Sequence, residues 1–158
     1  MKKVKFKTYV IWVLLTEAIG FIAGLITREA TEIYNTTITK PPLSPPPIVF
    51  PIVWTILYAL MGISAARIYE SDKSELRSRG LKLYFIQLFF NFFWSIIFFN
   101  FQAFNIAFIW LVILECLIIA MIYTFYKVDK AAGLIQIPYA AWVAFAGYLN
   151  LGVFFLNK

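Results

Sequence analysis

The chain has 158 residues, of which 62% are hydrophobic, 20% aromatic and only 14% charged. A soluble domain needs roughly 25% charged residues to cover its surface, so this composition excludes a soluble globular protein and indicates a membrane protein. The chain contains no histidine and one cysteine, Cys116, which excludes a histidine-ligated metal or haem, a Ser-His-Asp or Cys-His catalytic site and a disulfide within the chain.

The apolar residues fall into five long stretches. A helix needs about 20 mostly apolar residues to cross the hydrocarbon core of a bilayer, and each stretch has about that length. We therefore predict an all-α fold, a single domain over residues 1–158 that forms one bundle of five transmembrane helices. In chain order the predicted spans cover about 6–26, 47–69, 83–101, 104–126 and 131–156, with an outer proline-rich loop over 27–46.

The basic residues predict how the bundle lies in the membrane. If the N-terminus is inside, eleven Lys and Arg side chains lie on the inner face and three on the outer face, which the positive-inside rule favours. We predict a plasma or inner membrane protein with its C-terminus outside, and the net charge of +6 then needs no nucleic-acid partner. The inner set is Lys2, Lys3, Lys5, Lys7, Arg67, Lys73, Arg77, Arg79, Lys82, Lys127 and Lys130; the outer set is Arg28, Lys40 and Lys158.

The loop between the first two spans is rich in proline. Six of the seven prolines lie between Pro41 and Pro51. Proline fixes φ and removes an amide donor, so we expect a stiff, extended strap that leads into the first turn of the second helix. Such a strap suits a lid over a binding site, and the alternative is a plain connector.

Polar and aromatic residues inside the spans are few and recur at helical spacing. They comprise Trp54, Tyr58 and Met61 on the second span, Gln87, Asn91, Trp94 and Phe98 on the third, and Trp142, Phe145 and Ala146 after Pro138 on the fifth. Pro138 is expected to interrupt backbone hydrogen bonding within its helix. The residues themselves fit two interpretations equally: an aromatic pocket with amide groups for a flat, mainly apolar ligand, or hydrogen bonds and packing between helices.

Two acids and two glycines lie deep within the spans. Intramembrane acids usually face a cavity or a partner helix. For Glu17 we predict a hydrogen bond between helices, whereas for Glu115 that interpretation and a role in ligand or proton binding both remain open. Gly20 and Gly24 form a pair of small residues that suits close helix packing or a dimer contact.

Three blocks of residues resemble, in the same order, the signatures of the translocator protein family, whose members include tryptophan-rich sensory proteins and peripheral-type benzodiazepine receptors. The first block runs from Tyr34 through Lys40-Pro41-Pro42-Leu43-Ser44-Pro45-Pro46 to Phe50-Pro51, Trp54, Leu57-Tyr58 and Met61-Gly62. The second is Gln87-Leu88, Asn91, Trp94 and Phe98-Phe99, and the third is Pro138-Tyr139, Trp142, Phe145-Ala146 and Leu149-Asn150. The blocks extend over most of the chain.

The resemblance implies a five-helix bundle, commonly a homodimer, with a pocket under the first loop that takes porphyrins and synthetic benzodiazepine-site ligands. By position, it assigns the pocket lining to Tyr34, Trp54, Tyr58, Gln87, Asn91, Trp94, Trp142 and Phe145, and it gives Glu115 the place of an acid found in many members. Ala146, next to Phe145 in the third block, joins these candidates. Leu43 departs from the family, which often has tryptophan in the strap, and so removes one aromatic contact from the lid.

The preferred function is a membrane receptor or sensor that binds a metal-free porphyrin such as protoporphyrin, because no histidine is present to ligate iron. We expect Arg28 and Lys40 to meet the propionates at the pocket mouth.

No cofactor and no metal site are predicted; the porphyrin is the ligand or the substrate, and the lipid bilayer and a second copy of the chain are the partners. The alternatives are a light-dependent porphyrin-degrading enzyme, with Trp54 and Trp142 as electron donors, and a tetrapyrrole transporter, ranked last because the chain has no internal repeat.

Overall fold

Six helices account for most of the chain in the computed structural model, which describes residues 5–158. They are α1 (Phe6–Thr37), α2 (Val49–Tyr69), α3 (Glu75–Ser95), α4 (Phe104–Val128), α5 (Lys130–Ile135) and α6 (Ile137–Leu156), and a π-helical turn over Ile96–Asn100 extends α3. Residues 5–158 contain no strand, and five helical stretches are long and apolar enough to cross a membrane, with α5 and α6 forming the fifth. The predicted all-α fold with five spans is confirmed. Lys2 and Lys3, which belong to the predicted inner charge, lie outside the described residues.

Helix α1 is longer than predicted. The sequence placed the end of the first span near Ile26 and a loop from Thr27 onward, but the helix continues to Thr37. The residues from Thr27 to Thr37 are mostly polar, yet they include no proline or glycine, so nothing in them breaks a helix. Hydropathy marks where apolar residues end, and a helix continues past that point until its backbone is interrupted. The first half of the predicted loop is therefore helical.

The ends of two other helices also differ from the prediction. Helix α3 begins at Glu75 rather than near Leu83, because the Ser74 side chain accepts a hydrogen bond from the Arg77 amide at 3.1 Å and caps the helix. In the fifth span the interruption lies at Gln136, between α5 and α6, rather than within a helix at Pro138. Pro138 occupies the first turn of α6, where a missing amide donor costs no intrahelical bond.

The segment between α1 and α2, residues 38–48, is referred to below as the strap. It is not extended throughout, because the chain turns at Leu43, which has φ 68° and an 81% exposed side chain. The strap is fastened to the C-terminal half of α6. The Tyr148 hydroxyl donates to the Pro42 carbonyl at 2.8 Å, and Asn157 exchanges two hydrogen bonds with the Thr39 backbone at 3.0 and 2.8 Å.

The core is formed where α2, α3, α4 and α6 meet. Its fully buried side chains are mostly aliphatic and aromatic, and include Met61, Ile68, Tyr84, Ile118, Met121 and Phe125. Helix α1 lies against α2, and Gly62 permits the close approach, since a Cβ atom at that position would stand 2.5 Å from the Val13 Cα. Gly20, which the sequence suggested for close helix packing or a dimer contact, packs against the ring of Tyr58 in the same chain.

Candidate functional site

Helices α1, α2, α3 and α6, with the π-helical turn and the end of the strap, line a partly open cavity of about 590 Å³. Its volume lies within the range of small-molecule sites in proteins, about 300–1,000 Å³. Along α1 the lining extends from Glu17 to Asn35. At a rise of 1.5 Å per residue these two positions are about 27 Å apart, so the cavity follows most of the length of the helix.

Most of the predicted site residues line this cavity. They are Tyr34 on α1, Trp54 and Tyr58 on α2, Asn91 and Trp94 on α3, and Trp142 and Ala146 on α6, with Arg28 toward the strap end. Four predicted residues are not part of the lining: Gln87, Glu115, Phe145 and Lys40. The structure thus brings residues from all three sequence blocks to one cavity and leaves three of the five expected amide and charged side chains outside it.

Aromatic rings form much of the wall. Trp54 stacks on Tyr58 with ring centroids 5.5 Å apart, and Trp94 stacks on Phe98 at 5.0 Å. The indole N–H of Trp94 donates to the Asn150 side chain at 3.1 Å. In contrast, the Trp142 Nε1 is buried and has no hydrogen-bond partner among the described residues. Trp142 therefore lines the cavity while its N–H group stays buried and unpaired.

The amides of α3 serve mainly to join helices. Tyr58 donates to the Asn91 carbonyl oxygen at 2.7 Å, the Asn91 amide nitrogen donates to the Tyr139 hydroxyl at 2.7 Å, and Tyr139 donates to the Gln87 side chain at 2.6 Å. Gln87 is fully buried. Gln87 therefore serves hydrogen bonding between helices, which was one of the two interpretations, whereas Asn91 both joins helices and lines the cavity.

The three other predicted residues that do not line the cavity lie behind or beside the residues that do. Glu115 is on α4, which contributes nothing to the cavity wall, and one of its carboxyl oxygens is buried with no hydrogen-bond partner among residues 5–158. Phe145 packs on Trp142 with ring centroids 5.6 Å apart. The Lys40 ammonium donates to the Asn35 carbonyl at 3.0 Å and lies 5.2 Å from the Tyr34 ring centre, so it supports two lining residues from outside.

The sequence analysis missed three lining residues of interest. Glu17, Gly24 and Asn150 all line the cavity. A signal for the first two was present, because Glu17, Gly20, Gly24 and Thr27 recur at i, i+3, i+7 and i+10, which places an acid and two glycines on one helical face. Asn150 ends the third sequence block and was not taken as a site residue. Among the described residues, no three His, Cys, Asp or Glu side chains form a group that would hold a metal ion.

Comparisons with known proteins match almost the whole chain. The profile of the TspO/MBR family matches residues 12–156. The chain is 37% identical over 142 residues to the tryptophan-rich protein TspO of Chlorobaculum tepidum, with 89% of each chain covered. It is 33% identical over 145 residues to the TspO of Archaeoglobus fulgidus, covering 92% of this chain and 94% of the relative. It is also 30% identical over 133 residues to the translocator protein of Bos taurus, covering 83% and 79% respectively.

Proposed function

This chain is an integral membrane protein of the TspO/MBR family, and from that premise we propose that it is a receptor or sensor whose cavity binds a porphyrin of the protoporphyrin type. The proposal keeps the predicted orientation, with the N-terminus inside the cell and the strap outside. It also keeps the binding of benzodiazepine-site ligands in the same cavity and a homodimeric state, both of which the family resemblance implies.

One observation carries the proposal: a long cavity whose wall contains stacked aromatic rings. Trp54, Tyr58 and Trp94 offer ring faces to a flat conjugated ligand, and such ring pairs contribute about 0.5–1.5 kcal/mol beyond the apolar area that they bury. The Trp142 N–H is buried without a partner among the described residues, so a ligand that reorients this indole would supply the missing acceptor.

A single basic residue, with the acid Glu32 one turn away on α1, bears on the orientation of the ligand. Among the described residues that line the cavity, Arg28 is the only basic side chain, and it lies toward the strap end. A porphyrin with its propionates near Arg28 would place its apolar ring against the aromatic wall. Lys40 has its ammonium on the Asn35 carbonyl and would need to change rotamer to reach a propionate.

A second candidate function is the light-dependent breakdown of the bound porphyrin. It is favoured by one specific observation, namely that Trp54 and Trp142 both line the cavity, so that both indoles would lie beside a bound porphyrin. In that reaction the porphyrin absorbs the light, the indoles donate electrons to the excited porphyrin, and dissolved dioxygen is the oxidant that opens the ring.

Binding is tested by titrating the purified protein with protoporphyrin in the dark while tryptophan fluorescence and porphyrin absorbance are recorded. We expect saturable quenching, and we expect Trp54→Phe and Trp142→Phe each to weaken binding by about three- to tenfold, which corresponds to the loss of one aromatic contact or hydrogen bond. Trp110→Phe is the matched control, because Trp110 does not line the cavity and donates its N–H to the Phe90 carbonyl at 2.7 Å.

The outcomes separate the candidate functions. If the wild type shows no saturable quenching, or if Trp110→Phe weakens binding as much as the cavity variants, the porphyrin proposal is wrong. The bound samples are then illuminated. Porphyrin absorbance that decays faster with wild type than in empty micelles, and more slowly in the two cavity variants, favours the enzyme. Equal decay in all samples favours the receptor.

A further inference from the structure

The end of the cavity farther from the strap carries an acidic side chain that the porphyrin proposal does not use. Glu17 lines the cavity and is half-buried. It makes no hydrogen bond or ion pair with any of residues 5–158, so the helix-to-helix hydrogen bond predicted for it is not formed. A carboxyl group within a membrane-spanning helix is costly to bury and is usually paired with a donor or a cation.

The protein offers Glu17 no such partner from within the cavity. Arg28 is the only basic residue of the described lining, and it lies eleven residues further along α1, about 16 Å at 1.5 Å per residue. The Tyr58 hydroxyl is already committed to Asn91 at 2.7 Å. Within the described lining, Glu17 thus has no cationic partner, and a cationic ligand in the cavity would meet an unpaired carboxyl group.

The surroundings of Glu17 suit a cation. Gly20, nearly one turn further along α1, lies directly against the ring of Tyr58, and Tyr58 in turn stacks on Trp54. Aromatic faces attract ammonium groups, and the attraction is stronger where water is excluded. Glu17, Tyr58 and Trp54 all line this cavity, so a protonated amine bound at this end would meet a carboxyl group and aromatic ring faces together.

We propose that Glu17, Tyr58 and Trp54 form a subsite for a protonated amine, so that the cavity selects flat aromatic amines over neutral molecules of the same shape. Glu17 is the specificity-determining residue of this subsite. The inference rests on the cavity being the ligand site, as the proposed function does, but it does not depend on a porphyrin being the ligand.

The test uses two probes of nearly equal shape, anthracenylmethylamine, which is protonated at neutral pH, and neutral anthracenylmethanol. Binding is measured by energy transfer from tryptophan to anthracene, with each probe's partition into empty micelles subtracted. We expect the wild type to bind the amine at least about tenfold more tightly than the alcohol, and we expect Glu17→Gln to bring the ratio of the two affinities close to one, because a charge-assisted hydrogen bond to the amine is lost.

Glu115→Gln is the matched control, because it removes another intramembrane carboxyl that lies outside the cavity lining. We expect it to preserve the preference for the amine. The inference is overturned if the wild type does not prefer the amine, which needs no variant to measure, or if Glu17→Gln and Glu115→Gln reduce the preference equally. Glu17→Asp keeps the charge and should keep part of the preference. Titrating the same samples with protoporphyrin tests the porphyrin proposal separately, because the amine preference does not depend on porphyrin binding. Failure of one proposal is therefore distinguishable from failure of the other.

Discussion

Gly20 and Gly24 lie one turn apart on α1, yet their surroundings differ. Gly20 is pressed against the Tyr58 ring, so no side chain fits there without moving that ring. A Cβ atom at Gly24 would have no neighbouring heavy atom within 4 Å, because this residue faces the open cavity. Gly20 therefore serves helix packing, whereas Gly24 keeps space free in the candidate binding site.

This difference gives a prediction at Gly24. The substitution Gly24→Leu places a side chain in the cavity and is expected to weaken protoporphyrin binding by at least tenfold, about 1.4 kcal/mol. The same change should leave stability unchanged or raise it by about 0.5–1 kcal/mol, since leucine favours a helix over glycine. The measurements are the porphyrin titration and thermal unfolding.

Gly24→Ala provides the size control for this experiment. Its methyl group meets open space, so the porphyrin affinity should stay within about twofold of the wild type. Full affinity in Gly24→Leu would show that the ligand does not occupy this part of the cavity.

At the scale of elements, α5 shows a helix that depends on its neighbours. It has six residues, too few for a helix to be stable in isolation. Asp129 caps it by accepting from the Ala132 amide at 3.2 Å, and the same carboxylate pairs with Arg67 of α2 through two hydrogen bonds of 3.1 and 3.2 Å. Ser64 of α2 donates to the Ala132 carbonyl at 2.7 Å. These contacts hold α5 against α2.

We predict that Asp129→Ala lowers the free energy of unfolding by about 2 kcal/mol, since it removes a helix cap worth about 1 kcal/mol and an ion pair worth up to about 1 kcal/mol. The ion pair is given this modest value because Arg67 and Asp129 are 35% and 22% exposed. Unfolding by denaturant in mixed micelles measures the change.

Asp129→Asn separates the two contributions. An asparagine keeps the cap and loses the charge, so it should cost less than half as much as the alanine variant. Equal costs for the two variants would assign the whole effect to the ion pair and contradict the capping role.

At the scale of the whole molecule, a buried polar network joins three helices. The hydrogen bonds run from Tyr58 on α2 to Asn91 on α3, then to Tyr139 on α6, and back to Gln87 on α3. All four residues are buried. Because Tyr58 and Asn91 also line the cavity, the contacts that hold the bundle together also fix part of the shape of the site.

We predict that Asn91→Leu lowers the free energy of unfolding by about 1–2 kcal/mol, because it removes two interhelical hydrogen bonds, each worth about 0.6 kcal/mol on average in membrane proteins, and leaves two hydroxyls with fewer partners. Denaturant unfolding of Asn91→Leu, Tyr58→Phe and the double variant measures the coupling. The double variant should cost less than the sum of the single variants, and strict additivity would contradict a shared network.

Of the aromatic residues predicted for the site, all but Phe145 line the cavity, whereas the predicted polar residues line it only in part. Trp54, Trp94 and Trp142 line the cavity, as expected from their spacing and from the family blocks. Gln87 was expected there as well, but it is fully buried against Tyr139. Glu17 was assigned a contact between helices and instead faces the cavity. Periodicity identifies which residues share a face, but it does not indicate what that face meets.

The sequence by itself determined the number of spans and the fold class. A membrane helix satisfies its own backbone hydrogen bonds, and its apolar length is matched to the thickness of the bilayer, so local composition is sufficient to identify it. The tertiary structure alone decided that α1 continues to Thr37, that Gln87 is turned toward α6 and that Glu17 is turned toward the cavity. These features depend on the rotation and separation of helices, which are set by contacts between residues far apart in the chain.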